Sequence, residues 1–173
     1  VIPTYNTPIQ YLQKAVQSVR EQFYPTWELC ICDDGSTDTS IKEWLKLIEG
    51  DRVKVIFSKK NGGISSATNQ AAKRAVGEFI ALLDHDDELT PDALLEVVRL
   101  LNIQPDLDVI YSDQDKIDHR GRRNEPFFKP DWSPDYLRSV MYVGHLLLVR
   151  RKLFDQLGGL DPRFDGVQDY DLI

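Results

Sequence analysis

Along the first 115 residues, short apolar runs alternate with segments of helical periodicity, and that alternation narrows the fold more than any single motif. Val1 to Pro3 reads as the end of a strand, after which Leu12, Val16, Val19 and Phe23 recur at the spacing of a helix face. Trp27 to Cys32 reads as a second strand. Ile41, Leu45 and Ile48 mark a second helix, with Ser40 and Glu43 at capping-box spacing at its start. Val53 to Phe57 is a third strand, and Ile64 to Val76 an alanine-rich helix whose Ala67, Ala71 and Ala75 share a face that lies close against a sheet. Phe79 to Leu83 supplies a fourth strand, Thr90-Pro91-Asp92 opens another helix, and Val109 to Tyr111 gives a fifth strand. This repetition predicts an α/β fold, a doubly wound, mostly parallel sheet with helices on both faces.

Ligands of such sheets bind at the carboxyl ends of the strands. Two acidic clusters fall there: Asp33-Asp34 after the second strand, and Asp84, Asp86, Asp87 and Glu88 after the fourth. Carboxylates crowded at a strand exit repel one another unless solvent or a cation sits among them. Their oxygens suit a hard divalent ion such as Mn2+ or Mg2+, which commonly bridges protein to phosphate.

At 173 residues the chain fits one domain with a sizeable core. Its formal charge of −7 argues against a nucleic-acid partner, which calls for a basic face. No apolar run approaches the roughly 20 residues that span a bilayer. Cys30 and Cys32, two apart on a strand, point to one side and are expected to be buried, reduced thiols, which fits a reducing cytoplasm. After Asp115 the pattern changes. Arg120, Arg122 and Arg123, then Pro126, Pro130 and Pro134 among aromatic residues, read as a long loop region. His145 to Val149 reads as a further strand, and Lys152 to Leu157 as a short helix stopped by Gly158-Gly159. The chain starts without Met and stops inside what reads as a nascent helix, so it is taken as an excerpt of a longer protein.

Five segments, in order, carry a resemblance: Val1-Ile-Pro-Thr-Tyr-Asn6, Asp33-Asp-Gly-Ser-Thr-Asp38, Asn61-Gly-Gly-Ile-Ser-Ser-Ala-Thr-Asn69, Leu83-Asp-His-Asp-Asp87 and Gln168-Asp-Tyr-Asp-Leu172. Together they resemble the family 2 glycosyltransferases, the inverting group with the Rossmann-like GT-A fold. The resemblance implies a nucleotide-sugar-binding half over residues 1–115 and an acceptor-side half over 116–173. It implies that Pro3 and Tyr5 contact the nucleobase, Tyr5 by stacking, and that Asp34 accepts a hydrogen bond from a ring N–H. Asp84 and Asp86 match the two acids of the family's D-x-D pair: Asp86 is then the metal ligand, and Asp84 contacts the ribose or reaches the metal through water. Asp87 is expected to fix the loop, and His85 to act behind the ligands. Asp169 matches the family's general base, although Gln168 stands where the family usually has Glu. The glycines of Asn61-Gly62-Gly63 allow close backbone approach, and the helix that follows attracts anions.

The activity so implied is transfer of a sugar from a nucleoside diphosphate sugar to a saccharide or lipid-linked acceptor hydroxyl, with inversion. Its setting would be cell-envelope polysaccharide synthesis in the cytoplasm or at the inner face of the membrane, with any membrane contact made through the parent protein. A sugar nucleotidyltransferase is the rival enzyme; it ordinarily has a Gly-rich basic loop after the first strand, where this chain has Thr4-Tyr-Asn-Thr-Pro8. A receiver-like domain and a silent nucleotide-binding domain are the non-catalytic rivals. From residue type alone Asp33, Ser36, Thr37 and Asp38 also suit local capping, and His145 a buried, hydrogen-bonded role on the acceptor side. Residues 111–118 follow the fifth strand on the same edge, without an assigned role.

Overall fold

A computed structural model describes residues 1–173. Three parallel strands, β1 (Ile2–Thr4), β2 (Leu29–Asp33) and β3 (Val53–Phe57), lie in the order β1-β2-β3. A second group has the order β4-β8-β5, with β4 (Phe79–Leu82), β5 (Val109–Tyr111) and β8 (Leu147–Arg150). The groups abut along β1 and β4. There the Val1 nitrogen donates to Ala81 O at 2.6 Å and Leu83 N donates to Val1 O at 3.1 Å. One residue bonding to positions on either side of its opposite number is the parallel pattern, so β1 and β4 run the same way. The carboxyl ends of β1, β2 and β4 therefore open on one edge.

Side-chain alternation along β2 divides the core. All five residues are buried, as in a strand covered on both faces. Leu29 and Ile31 pack with Leu12 and Val16 of α1 (Ile9–Arg20) and Ile41 and Leu45 of α2 (Thr39–Ile48). Cys30 and Cys32 face the other way, onto Ala67 and Ala71 of α3 (Ile64–Ala72), and are buried free thiols. The small alanine side chains let this helix approach the sheet, as their spacing predicts.

Several boundaries differ from the sequence reading, each for a local reason. The start of α2 is capped by Asp38, whose carboxylate accepts from Ser40 N at 2.8 Å, rather than by a Ser40–Glu43 box. α3 ends at Ala72, not Val76: Glu28 accepts from Val76 N at 2.5 Å and Gly77 N at 2.8 Å and draws the chain out of the helix toward β4. Thr90-Pro91-Asp92 forms a turn, and α4 (Ala93–Ile103) begins after it.

The last strand of the sheet, β8, enters between β4 and β5 and pairs antiparallel with both, the single reversed strand in a sheet that is, as expected, mostly parallel. Leu147 and Val149 on one face join the core of Ile80, Phe154 and Leu160, and Leu148 on the other meets Ile110. The region expected as loop holds an antiparallel hairpin, β6 (Gln114–Ile117) with β7 (Arg123–Phe127), then the short α5 (Pro134–Leu137). The hairpin is largely exposed and held partly by ion pairs, Lys116–Glu125 and Arg123–Asp115 at 2.5 and 2.6 Å, so it lacks the apolar alternation that reveals a strand. The chain continues through α6 (Arg151–Leu157), the 3-10 turn Pro162–Phe164 and α7 (Gln168–Leu172). Gly158, at φ +85°, stops α6 in the left-handed conformation that glycine tolerates.

Candidate active site

Pro3 within β1 and Tyr5 just after its carboxyl end help, with Asp34, Asn61, Gly63 and Asp84, to line a cleft of about 320 Å3. Tyr5 is 45% exposed, whereas Asp34 is only 3% exposed. Asp34 Oδ2 accepts from Gly62 N and Gly63 N, both at 2.9 Å, and Oδ1 lies 3.0 Å from Gly62 N. A carboxylate offers about four acceptor positions, so Asp34 fixes the loop before α3 and keeps capacity for one further donor. The close fit depends on glycine at 35: at its φ of +77°, an added Cβ would stand 2.9 Å from Asn61 N. Asp33 is fully buried, and its Oδ1 lies 3.3 Å from Ser36 N, which makes it an organiser of that turn. Asn6 ties the two loops together: its side-chain oxygen accepts from Thr37 N at 2.8 Å and its own N–H donates to Ser36 Oγ at 2.8 Å. Lys59 and Lys60 are exposed.

The acidic run follows β4, and β8 decides what faces it. Antiparallel pairing sets Leu82 opposite Leu147. Two residues further along, the same register puts Asp84 opposite His145. Accordingly, His145 Nε2 lies 3.5 Å from Asp84 Oδ2, and its Nδ1 lies 3.9 Å from Asp87 Oδ2. The ligating atoms of Asp84, Asp87 and His145 all fall within 4.8 Å of one another. These three side chains are the ones that would hold a divalent cation at this edge. Carboxylates suit hard ions such as Mg2+ or Mn2+, and an imidazole adds a nitrogen donor, so the set fits a divalent cation without selecting one. Burial, first, and the charges of Asp84 and Asp86 raise the Asp87 carboxyl above its ordinary range, against the pull of His145. Such a group gains from a cation beside it.

Asp86, the predicted ligand, stands beside this trio rather than in it. It is exposed, with Oδ1 3.2 Å from His85 Nδ1. It lines a further cleft of about 650 Å3 with Asp87, His145 and the start of the hairpin from Ser112 to His119. His85 Nδ1 is buried and has no aligned hydrogen-bond partner.

Asp169, on α7, lines a cleft of about 240 Å3 with Asp84 and His145. Pro3, Ile64 and Asp84 border both this cleft and the one holding Tyr5 and Asp34. The two compartments therefore share a wall. Asp169 Oδ1 meets only the N–H of its own neighbour, Tyr170, at 3.0 Å, and the residue at the helix cap is Val167. Gln168 folds back so that Oε1 accepts from Gly166 N at 2.7 Å, and it serves the turn. Asp171 is exposed and outside the cleft.

Sequence reasoning did not place His145 at the acids, nor Lys129 behind it. Lys129 Nζ donates to His145 O at 2.5 Å and to Val143 O, and burial lowers its pKa to about 8. The signal for His145 was Gly144-His145 directly ahead of an apolar run, but its meaning depends on β8 lying antiparallel beside β4. The roomy, mainly apolar groove of about 630 Å3 around Trp27, Phe79, Val97 and Leu101 opens at the amino ends of the strands and holds none of the predicted site residues.

The sequence profile of glycosyl transferase family 2 matches residues 1–158. The O-antigen biosynthesis protein RfbC of Myxococcus xanthus is 40% identical over 100% of this chain and 14% of its own length. The chain spans less than a fifth of the first curated relatives it matches, 19% and 14% of their lengths. Among solved structures, residues 1–349 of Staphylococcus aureus TarS in complex with UDP superpose with a TM-score of 0.79 at 22% identity, over 99% of this chain and 52% of that one. The mannosyltransferase PcManGT from Pyrobaculum calidifontis, in complex with GDP-Man and Mn2+, gives 0.71 at 23% identity, over 99% of this chain and 49% of that one. These likenesses establish the fold as GT-A.

Proposed function

The chain belongs to glycosyl transferase family 2, and from that premise we propose that it transfers a sugar from a nucleoside diphosphate sugar to an acceptor hydroxyl with inversion. The observation that carries this reading is the shared wall: Pro3, Ile64 and Asp84 border both the Tyr5–Asp34 cleft and the Asp169 cleft. A donor lying over the strand ends would then present its anomeric carbon toward the compartment in which Asp169 waits. The UDP and GDP-Man complexes of the structural neighbours support a nucleotide sugar as the donor class.

In this reading the base stacks on Tyr5 against Pro3, and Asp34 accepts a ring N–H with its remaining lone pair. Asp84 meets the ribose. The acids of the run, Asp86 among them, together with His145 would hold a divalent cation, which when bound would supply charge neutralisation for the leaving diphosphate. Asp169 takes the proton of the acceptor hydroxyl as its oxygen bonds to the anomeric carbon. The carbon–oxygen bond to the diphosphate breaks, its electron pair leaves with the nucleoside diphosphate, and no enzyme–sugar bond forms. Residues 1–115 form the donor half and 116–173 contribute to the acceptor side.

The acceptor is a saccharide or a lipid-linked glycan of the cell envelope, a setting supported by the O-antigen relative. No helix is long and apolar enough to cross a membrane; the proposed setting is the cytoplasm or the inner face of the membrane, with any membrane contact made through the parent protein. The test is thermal unfolding with UDP-, GDP- and dTDP-sugars, with and without Mn2+. One nucleotide class is expected to raise the melting temperature, and only with the ion present. No shift with any of them, alongside pyrophosphate release from a nucleoside triphosphate, would move the chain to the nucleotidyltransferases.

A further inference from the structure

Asn69 is a polar residue in the body of α3, a position where asparagine is a mediocre helix former. Its side chain reaches across to the chain that precedes the Asp169 helix. Nδ2 donates to Leu160 O at 2.7 Å, and Oδ1 accepts from Leu160 N at 2.8 Å. This closed pair satisfies both backbone groups of Leu160, a residue only 4% exposed. The amide fits because position 159 is glycine: a Cβ there would stand 2.3 Å from Asn69 Oδ1.

One turn earlier on α3, Ser65 makes two more ties. Its N–H donates to Asp165 Oδ1 at 3.1 Å, and its hydroxyl lies 3.5 Å from Asp161 O. A Cβ at Gly63 would collide with Asp165 Oδ2 at 2.1 Å. Residues 160–165 are thus held against α3 at both ends, and α7 starts three residues later at Gln168. The helix that carries these ties also follows the Gly62-Gly63 loop held by Asp34.

We propose that Asn69 is a positioning residue that couples the donor-side helix α3 to the placement of Asp169. Through Leu160 it sets where α7 presents the carboxylate over the Asp84 cleft, and the Asp165–Ser65 contact fixes the far end of the same segment. The proposal rests on reading Asp169 as the base, and its test separates the two claims.

The test is backbone amide exchange of the full chain without ligand, in wild type, Asn69→Ala, Asn69→Asp and Gly159→Ala. In Asn69→Ala, exchange at Leu160 and across Tyr170–Leu172 is expected to quicken by about tenfold or more, while β2 and the Gly62 and Gly63 amides keep their protection. Gly159→Ala, which expels the amide without altering Asn69, gives the same pattern. Asn69→Asp keeps an acceptor for the Leu160 N–H and recovers part of the protection at Leu160. In turnover with the stabilising nucleotide sugar, Asn69→Ala lowers kcat about tenfold with donor KM within about twofold, and adds almost nothing in the Asp169→Asn background. Unchanged exchange in α7, or a loss spread evenly through α3 and the sheet, overturns the coupling. If instead Asp169→Asn transfers at the full rate while the exchange pattern holds, the base assignment fails and the coupling of α3 to α7 stands.

Discussion

At Asp87, burial and the neighbouring charges of Asp84 and Asp86 raise the carboxyl above its ordinary value of 3.8, with His145 opposing them. The folded state therefore binds this proton more tightly than the unfolded chain does. The contribution to stability is full below 3.8 and is lost as pH rises through the folded value, so at neutral pH the ionised group is a liability without a cation. Asp87→Asn is expected to melt at or above the wild-type temperature at pH 7 in chelator, while Mn2+ affinity falls by about tenfold. Wild-type Mn2+ affinity should also weaken as pH is lowered through the raised pKa, since proton and ion compete for the carboxylate; calorimetric titration at several pH values reads both effects. Equal Mn2+ affinity in wild type and variant would remove Asp87 from the ion's surroundings. Asp34 and Asp84 stood out in the sequence as acids at strand ends, the edge where such sheets bind ligands, whereas Asp169, on a short helix, was singled out by the family resemblance alone. His145 was not legible: its partner is decided by a register that no local pattern records.

Among the elements, α3 has two tasks, and its residues divide accordingly. Ala67 and Ala71 are 1% and 0% exposed against Cys30 and Cys32, while Ser65 and Asn69 hold the approach to α7. A larger side chain on the alanine face has no room to grow into. Ala71→Leu is expected to destabilise the chain by about 1–3 kcal/mol, measured by chemical denaturation, because a packed interior resists added volume. The first five strands and their helices were readable from periodicity, since each buried strand is a short apolar run and each helix shows one apolar face. The β6–β7 hairpin was not, because charged cross-strand pairs replace apolar alternation there. The direction of β8 was hidden for another reason. Its run Leu146-Leu147-Leu148-Val149 is apolar on both faces and reads the same whichever way the strand runs.

Across the whole molecule, the parallel strands bring Pro3, Tyr5, Asp34 and Asp84 to one edge, and the antiparallel β8 delivers His145 to the same edge from the opposite direction. The late segment 160–172 then folds back over α3 and sets Asp169 beside that edge. The residues proposed to hold the donor and the proposed base come from opposite ends of the sequence and meet at the wall of Pro3, Ile64 and Asp84. This division makes a separable prediction, for binding and transfer should fail independently. The most direct measurement compares wild type and Asp169→Asn in two assays: titration with the stabilising nucleotide sugar and Mn2+, and release of nucleoside diphosphate in the presence of acceptor. The predicted result is donor affinity within about twofold of wild type and a transfer rate reduced by about a thousandfold or more. Transfer at the wild-type rate by Asp169→Asn would contradict it.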